Sequence, residues 1–312
     1  MTFARAFAPA TVANVGVGFD ILGLAIQGTG DTVEVELRDE PGVVVVSITG
    51  DNGRLPLDAE RNTAAVAANA VLRIIGAKQG VALRLHKGLP LNSGLGSSAA
   101  SGVAAAMAVN ALYGSPLPKP ALLPACLEGE ARVSGYHADN AGPSLLGGIT
   151  LITGTDASQI FHLPVPENLH LALVSPAVDV PTAKARAVLP KQISLQQMVS
   201  QTAAVARLID TLYRGDVAAM GEVMEKDNVV EPARAHLMPY LSEVRAAAKQ
   251  AGAYGLVISG AGPTLCAVCD SEAVAQSVAQ AMKSVYTAHH IESIVQSTRV
   301  DPEGAQVQPI QI

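Results

Sequence analysis

The stretch Pro90-Leu91-Asn92-Ser93-Gly94-Leu95-Gly96-Ser97-Ser98-Ala99-Ala100-Ser101 decides how the rest of the chain is read. Upstream, Val81, Leu83 and Leu85 alternate with Ala82, Arg84 and His86, the period-two pattern of a strand with one buried face. Downstream, Ser97 to Leu112 reads as an alanine-rich helix. Between them, Gly94 and Gly96 free the backbone to take positive φ and to approach a ligand. The helix's first turn points unpaired N–H groups outward. Those donors and the positive end of the helix dipole suit a phosphate. Ser97, Ser98 and Ser101 add hydroxyls for phosphate oxygens or a hard cation such as Mg²⁺, and Lys87 lies just upstream. A glycine-serine turn capped by Ser97 ahead of a buried helix would use the same residues. Two better-known phosphate loops fit less well. No Gly-Lys in the chain is followed by Ser or Thr, as a P-loop needs, and Leu112 to Leu123 lacks the acidic residue that a dinucleotide fold wants beyond its glycines.

A chain of 312 residues can bury a substantial core, and two domains are expected, 1–155 and 156–312, divided at the polar, proline-marked segment Asp156 to Asn168. The net charge of −6 and the absence of a basic tract argue against nucleic acid or an anionic membrane as partner. No apolar run approaches a membrane span and no signal peptide precedes the first strand, so a cytoplasmic protein is expected. Cys126, Cys266 and Cys269 suit a reducing compartment. In a strand, Cys266 and Cys269 would face opposite sides, which argues against a redox pair.

Two further polar loops stand out. Pro9-Ala-Thr-Val-Ala-Asn14-Val-Gly-Val-Gly18-Phe-Asp20 is expected as an exposed turn after a short strand Phe3 to Ala8, and Ser134-Gly-Tyr-His137-Ala-Asp139-Asn140-Ala-Gly142-Pro143 as a loop placing a titratable ring, a carboxylate and an amide side by side. Each would also serve as a plain turn. Thr32 to Leu37 alternates as a strand, and Val43 to Thr49 reads as a fully buried one. Asn62 caps a helix, and a following helix carries Glu128, Glu130 and Arg132 with Pro124 near its start. In the second half a strand from Leu169 precedes a loop with Thr182, Lys184 and Arg186. A helix through Met198 and Leu212 follows, Glu231 to Arg234 links onward, and strands flank Ser259-Gly-Ala-Gly262-Pro-Thr264. Ile291 to Ser297 is expected as the last strand. This half reads as helices laid on an antiparallel sheet, an α+β arrangement.

Taken together, Asn14 to Asp20, Pro90 to Ser101, His137 to Asn140 with Gly147-Gly148, and Gly260 to Thr264 resemble the GHMP small-molecule kinases, and within them the branch that phosphorylates homoserine. The motifs span nearly the whole chain. One residue separates Gly135 from His137 where two are usual, and Val15 stands where leucine is common. The resemblance implies a two-domain α+β GHMP kinase fold, its N-terminal domain like ribosomal protein S5 domain 2 and its C-terminal domain ferredoxin-like, usually as a homodimer. It implies ATP and L-homoserine as substrates, Mg²⁺ held by Ser98 and Glu130, and a product that feeds threonine synthesis. ATP would lie on Pro90, Leu91, Asn92, Ser93, Gly94, Leu95, Gly96, Ser97, Ser98, Ala99 and Ala100, with Asn62 and Lys87 nearby. Asn14, Asp20, His137, Asp139, Asn140, Thr182, Arg186, Arg234 and Gly262 would line the amino-acid pocket.

Homoserine's own chemistry asks for the same set. Arg186 and Arg234 can grip a carboxylate in bidentate fashion and Asp20 can take the ammonium, while Asp139 or Asn140 orients the hydroxyl. The proton of that hydroxyl has three possible acceptors: Asp139, the γ-phosphate or water. A sister kinase for another alcohol would share the nucleotide loop without needing the arginines, and a non-catalytic ATP sensor would not need Glu130 or Asn140.

Overall fold

The computed structural model describes residues 2–133 and 135–309. Strands β1 (Phe3–Ala13), β2 (Leu22–Arg38), β3 (Val43–Thr49), β4 (Gly80–His86), β5 (Ile149–Ile152) and β6 (Ile160–Leu163) build one sheet. Strands β7 (His170–Pro176), β8 (Gly255–Ile258), β9 (Leu265–Cys269) and β10 (Ser293–Thr298) build a second, and β11 (Gln306–Gln308) returns to the first. The first sheet runs β11-β1-β2-β4-β3, with β5 joined to β2 and β6 to β5. All its pairings are antiparallel except β3 with β4. The second runs β10-β7-β9-β8, antiparallel throughout.

Helices α1 (Thr63–Ile74), α2 (Ser97–Leu112), α3 (Leu123–Glu130) and α4 (Ala138–Leu146) pack with the first sheet. Apart from Ser97 and Ser98, every residue of α2 is buried. A helix that is apolar all round must be a core helix. Its run of alanines lets β1 and β2 approach on one side and α1 and α3 on the other. The sheet's outer surface carries the ion pairs Arg5–Glu34 and Arg84–Glu36.

Between β7 and β8 the chain forms α5 (Thr182–Ala187), α6 (Leu195–Arg214), α7 (Val217–Met224), α8 (Val230–Arg234) and α9 (Leu241–Gln250), and between β9 and β10 it forms α10 (Glu272–Ala288). Strand alternation sorts its side chains. Leu171, Leu173 and Cys266 join α7 in the large core, whereas Ala172, Val174 and Cys269 join α9 and α10 in a second core. Cys266 and Cys269 are thus unbonded, buried and on opposite faces, as strand geometry requires.

Several expectations change. Pro9 to Ala13 is a buried continuation of β1, because pairing with β2 resumes after a bulge, so the turn begins only at Asn14, and there Asn14, Val15 and Val17 are buried and not exposed. β3 is an edge strand with Val44 and Val46 facing solvent. The segment after His137 is helix α4, with Asp139 in its first turn, and the expected loop around Lys184 and Arg186 is helix α5. Ser134 lies outside the described residues. β6 pairs with β5, and β11 with β1, so sheet pairing divides the chain differently from 1–155 and 156–312: the first sheet extends to Leu163 and recovers the C-terminal segment.

Candidate active site

Between the two sheets lies a cleft of about 620 Å³, walled by the Asn14–Asp20 turn, the glycine loop, the end of α3, the start of α4, α5, α8 and the Gly260-Ala261 turn. The glycine loop is held in place by neighbours that leave no room for a side chain. Gly94 takes φ +80°, and a Cβ there would sit 2.4 Å from the Ser259 carbonyl oxygen. Gly96 takes φ +65°, and its Cβ would meet Thr11 Oγ1 at 2.0 Å. Only glycine fits both the conformation and the space. The second domain clamps the loop: Ser259 Oγ donates to the Gly94 carbonyl (2.7 Å) and Thr264 N–H to the Ser93 carbonyl (3.0 Å).

Gly96 is the N-cap of α2 and brings no side-chain cap, so Ser97 is the first helical residue and not the cap of the plain-turn alternative. The first-turn N–H groups therefore stay available to an anion. The Ala100 N–H is spent on the Gly96 carbonyl. The buried Ser93 and Ser97 hydroxyls have no hydrogen-bond partner among the described residues. Leu91, Asn92, Ser93, Gly94, Gly96, Ser97 and Ser98 line the cleft. Leu95, Ala99 and Ala100 face the core, and Pro90 borders a neighbouring cleft.

Two residues expected at the nucleotide have their polar atoms engaged within the protein. Asn62 Oδ1 accepts from Ala64 and Ala65 N–H as the cap of α1, and its Nδ2 donates to the Pro56 carbonyl. Lys87 is buried beneath the loop, where its ammonium binds Asp31, the Ser97 carbonyl (2.9 Å) and Ser101 Oγ (2.9 Å). Asp31 also accepts from Gly88 N–H and Ser101 Oγ. Burial pulls the Lys87 ammonium's pKa down against the opposing charge of Asp31. Both residues border the cleft, Lys87 as a strut that fixes the start of α2.

At the other end, the carboxylate and arginine expected as free groups are paired with each other. Arg186 Nη1 and Nη2 donate to Asp20 Oδ2 (3.1 Å) and Oδ1 (2.8 Å), and His137 Nδ1 lies 3.5 Å from Oδ2. Arg186 Nε is buried without a partner among the described residues. Arg234 is buried, its Nε on the Ala185 carbonyl (3.0 Å) and Nη1 on the Gly260 carbonyl (2.9 Å). Burial, then the neighbouring Arg186 charge, lowers its pKa to about 10, which leaves it a cation at neutral pH. The ring of Phe19 serves both guanidiniums, with Arg234 at 5.2 Å and Arg186 at 5.6 Å from its centroid. A π face that attracts both cations offsets part of their repulsion. Burial also lowers the pKa of His137, a trend that Asp20 opposes. Asn14 ties the turn to the second domain, accepting from Asp20 N–H and donating to the Gly260 carbonyl (2.9 Å). Thr182 borders the cleft at the start of α5, whereas Gly262 sits behind Gly260 and Ala261.

Midway stand Asp139 and Asn140. Asp139 is 4% exposed and its Oδ1 has no partner among the described residues. Burial first, then the negative charge of Asp20, pushes its pKa up to about 7. Thr11 Oγ1 donates to Asn140 Oδ1 (2.7 Å), which fixes the amide of a residue that lines the cleft. Ser98, on the first turn of α2, and the buried Glu130, at the end of α3, border the same space.

Phe19, Thr11 and Asp31 are the participants that sequence reasoning missed. Phe19 and Thr11 lie inside a quoted motif but read as filler between glycines and polar residues. Asp31, in mid-strand, shows its meaning only against Lys87. Thr11→Val should lower kcat about tenfold, the effect of losing one oriented hydrogen bond, with little change in the KM for nucleotide. Steady-state kinetics check this, and an unchanged kcat would mean that Asn140 needs no such support.

The cleft can therefore seat an anion on α2, a zwitterion across Asp20, Arg186 and Arg234, and a proton on Asp139 between them. Comparison with known proteins places this arrangement. Residues 62–148 match the GHMP kinases N terminal domain and residues 208–288 the GHMP kinases C terminal family. Homoserine kinase from Arabidopsis thaliana is 43% identical over 310 residues, covering 97% of this chain and 84% of that protein. The crystal structure of homoserine kinase from Cytophaga hutchinsonii is 44% identical and superposes with a TM-score of 0.95 over 99% of this chain and 98% of that one. L. major mevalonate kinase shares the fold, with a TM-score of 0.72 at 18% identity, covering 96% of each chain.

Proposed function

We propose, for a chain that belongs to the GHMP kinases and within them to the homoserine kinases, a division of labour in which Asp139 is the proton acceptor of the reaction. The enzyme is an ATP-dependent kinase that acts on homoserine. Its γ-phosphoryl group goes to the side-chain hydroxyl. As the hydroxyl oxygen bonds to phosphorus, the bond from phosphorus to the oxygen that bridges it to the β-phosphate breaks, ADP leaves, and the hydroxyl proton passes to Asp139 Oδ1. The observation that carries this reading is a buried carboxylate on the cleft wall whose Oδ1 has no partner among the described residues, and burial, then the charge of Asp20, pushes its pKa up to about 7. A general base works best when its pKa lies near the working pH. Asn140 Nδ2 steadies the hydroxyl oxygen. The N-terminus of α2, with Ser97 and Ser98, neutralises the phosphates, since phosphoryl transfer asks the protein mainly for positioning and charge stabilisation.

A zwitterion suits the other end. Laid along the Asp20–Arg186 pair, its ammonium meets Asp20 and its carboxylate meets Arg186 Nε and Arg234, so each charge finds an opposite one. Mevalonate carries a carboxylate without an ammonium, galactose neither, and L-serine places its hydroxyl one methylene short. ADP release with ATP and each of these should give kcat/KM for homoserine at least about 10²-fold above the others, because buried charges left without partners discriminate strongly. Comparable values for mevalonate would sink the assignment.

The donors present fit a magnesium ion. Ser98 and Glu130 offer hard oxygens on one wall of the cleft, and such an ion needs only one or two protein ligands when phosphates complete its shell. It would neutralise charge developing on the phosphate oxygens. Ser98→Ala and Glu130→Ala should each lower kcat about 10²-fold and raise the Mg²⁺ concentration needed for half-maximal rate. An unchanged Mg²⁺ dependence in both would remove them from the metal. We further infer a homodimer working in the cytoplasm to supply threonine biosynthesis, in keeping with three buried, unbonded cysteines and with the absence of any membrane-crossing helix among the described residues.

A further inference from the structure

Asp179 is absent from the lining of the cleft, yet it joins the two ends of it. It follows β7 in the second domain, and each of its carboxylate oxygens takes a donor from a different loop of the first. Oδ1 accepts from Asn92 Nδ2 (2.8 Å) and Oδ2 from Arg54 Nη2 (3.4 Å). Asn92 belongs to the glycine loop, where it holds the left-handed conformation with φ +53°, and Arg54 belongs to the loop that leads to Asn62. Both line the cleft. Arg54, Leu91 and Ser93 also line a neighbouring cleft of about 940 Å³, so they form a partition between the two. Asp179 lines that second cleft and braces the partition from behind.

In the other direction Asp179 is tied to the amino-acid end. Val180 is buried in the second core, Pro181 is the N-cap of α5, and the helix begins at Thr182. A buried valine followed by a proline leaves this link little freedom. Along α5, Ala185 is buried in the same core and its carbonyl accepts from Arg234 Nε (3.0 Å), while Arg186 grips Asp20. The glycine loop has two further ties to the second domain, at the Ser93 and Gly94 carbonyls. Their donors, Thr264 and Ser259, sit on the turn between β8 and β9 and not on the segment that enters α5.

We propose that Asp179 is a positioning residue that couples the two substrates. A nucleotide that settles on the glycine loop and against Arg54 fixes the two donors of Asp179. Asp179 in turn fixes the start of α5, and homoserine meets an Arg186 already in place. The coupling is reciprocal, so homoserine tightens the nucleotide by the same factor. The contact itself limits its size: the side chains of Arg54 and Asp179 are 51% and 55% exposed, and exposed pairs are individually weak. About three- to tenfold is therefore expected, at the low end of the range for linked sites. The inference rests on homoserine occupying the Asp20–Arg186 end of the cleft.

Titration calorimetry with homoserine, Mg²⁺ and the unreactive β,γ-imido analogue of ATP tests this. For the wild-type protein, the Kd of homoserine should be about three- to tenfold lower with the analogue bound than without it. Asp179→Ala should bring that ratio to about one while changing the Kd without nucleotide by less than about twofold. A general structural defect would weaken homoserine equally in both states and leave the ratio as it was. Asp179→Asn, which keeps an acceptor for Asn92 but not the charge for Arg54, should retain part of the coupling. A wild-type ratio of about one, or a ratio that survives Asp179→Ala, would overturn the proposal. Arg186→Leu separates that result from a failure of the site assignment. A large loss of homoserine affinity in this variant keeps homoserine at the Arg186 end whatever Asp179 does, and an unchanged affinity overturns the assignment and the proposal together.

Discussion

Asp139→Asn is expected to lower kcat by about 10³-fold while making the folded protein more stable at pH 8. The two effects have one cause. Burial and the charge of Asp20 raise the pKa of Asp139 from 3.8 in the unfolded chain to about 7 in the folded one. A carboxyl whose pKa rises on folding contributes its full stability only below the unfolded value near 3.8, and that contribution is lost as pH rises through about 7. Above pH 7 the native state therefore holds an ionised, poorly solvated group whose cost is at most about 4 kcal/mol, at about 1.4 kcal/mol per unit. An amide carries no such cost but cannot accept the proton. Wild-type kcat/KM should climb with pH toward a plateau above about 7, following ionisation of this group, and the variant should lose that limb. Chemical denaturation at pH 5 and pH 8 would separate the effects. A variant with unchanged kcat would leave the γ-phosphate or water as proton acceptor, and a variant less stable at pH 8 would contradict the burial argument.

Arg234→Leu should raise the KM for homoserine about 30- to 1,000-fold and leave the KM for ATP nearly unchanged. The range is that of a charged hydrogen bond to a carboxylate, about 2–4 kcal/mol. The guanidinium is buried, held by the Ala185 and Gly260 carbonyls and stacked on Phe19, so its position is fixed before any ligand arrives. Leucine would also leave those two carbonyls without their donor. Some loss of stability is therefore expected, and Arg234→Lys, which keeps the charge but lacks the planar fork, should recover the stability better than the KM. A rise in the KM for ATP in place of that for homoserine would put Arg234 at the wrong end of the cleft.

Much of the framework was legible because local chemistry and tertiary structure agree. The helix from Ser97 to Leu112 is bounded by a glycine in the left-handed conformation and built of residues that tolerate burial on every side. Asn62 announces the helix it caps. Where the reading slipped, the deciding partner was far away. Nothing near Val43 to Thr49 says that β3 lies at a sheet edge, and nothing near Gln306 says that β11 will pair with β1. Gly142 and Pro143 made α4 look like a loop, yet Pro143 lies inside the helix, at the cost of the hydrogen bond that its nitrogen cannot donate to the Asp139 carbonyl. The cleft shows the same division. Residue types suited to phosphate, carboxylate and ammonium could be named one by one, but their pairing could not. Asp20 meets Arg186, 166 residues on, and Lys87 meets Asp31 across two strands. The raised pKa of Asp139 is a property of that assembled neighbourhood, and no local signal encodes it.

Homoserine held in this cleft by its carboxylate and ammonium would offer its hydroxyl to the γ-phosphate of ATP beside Asp139. Phosphorus NMR of the reaction of the purified protein with ATP, Mg²⁺ and L-homoserine tests it most directly, since homoserine has two oxygen-bearing groups that could receive phosphate, the hydroxyl and the carboxylate. The account predicts a single new phosphomonoester resonance, coupled to the side-chain methylene protons and stable to hydroxylamine. An acyl phosphate that hydroxylamine destroys, or no new resonance from homoserine while mevalonate is phosphorylated, would contradict it.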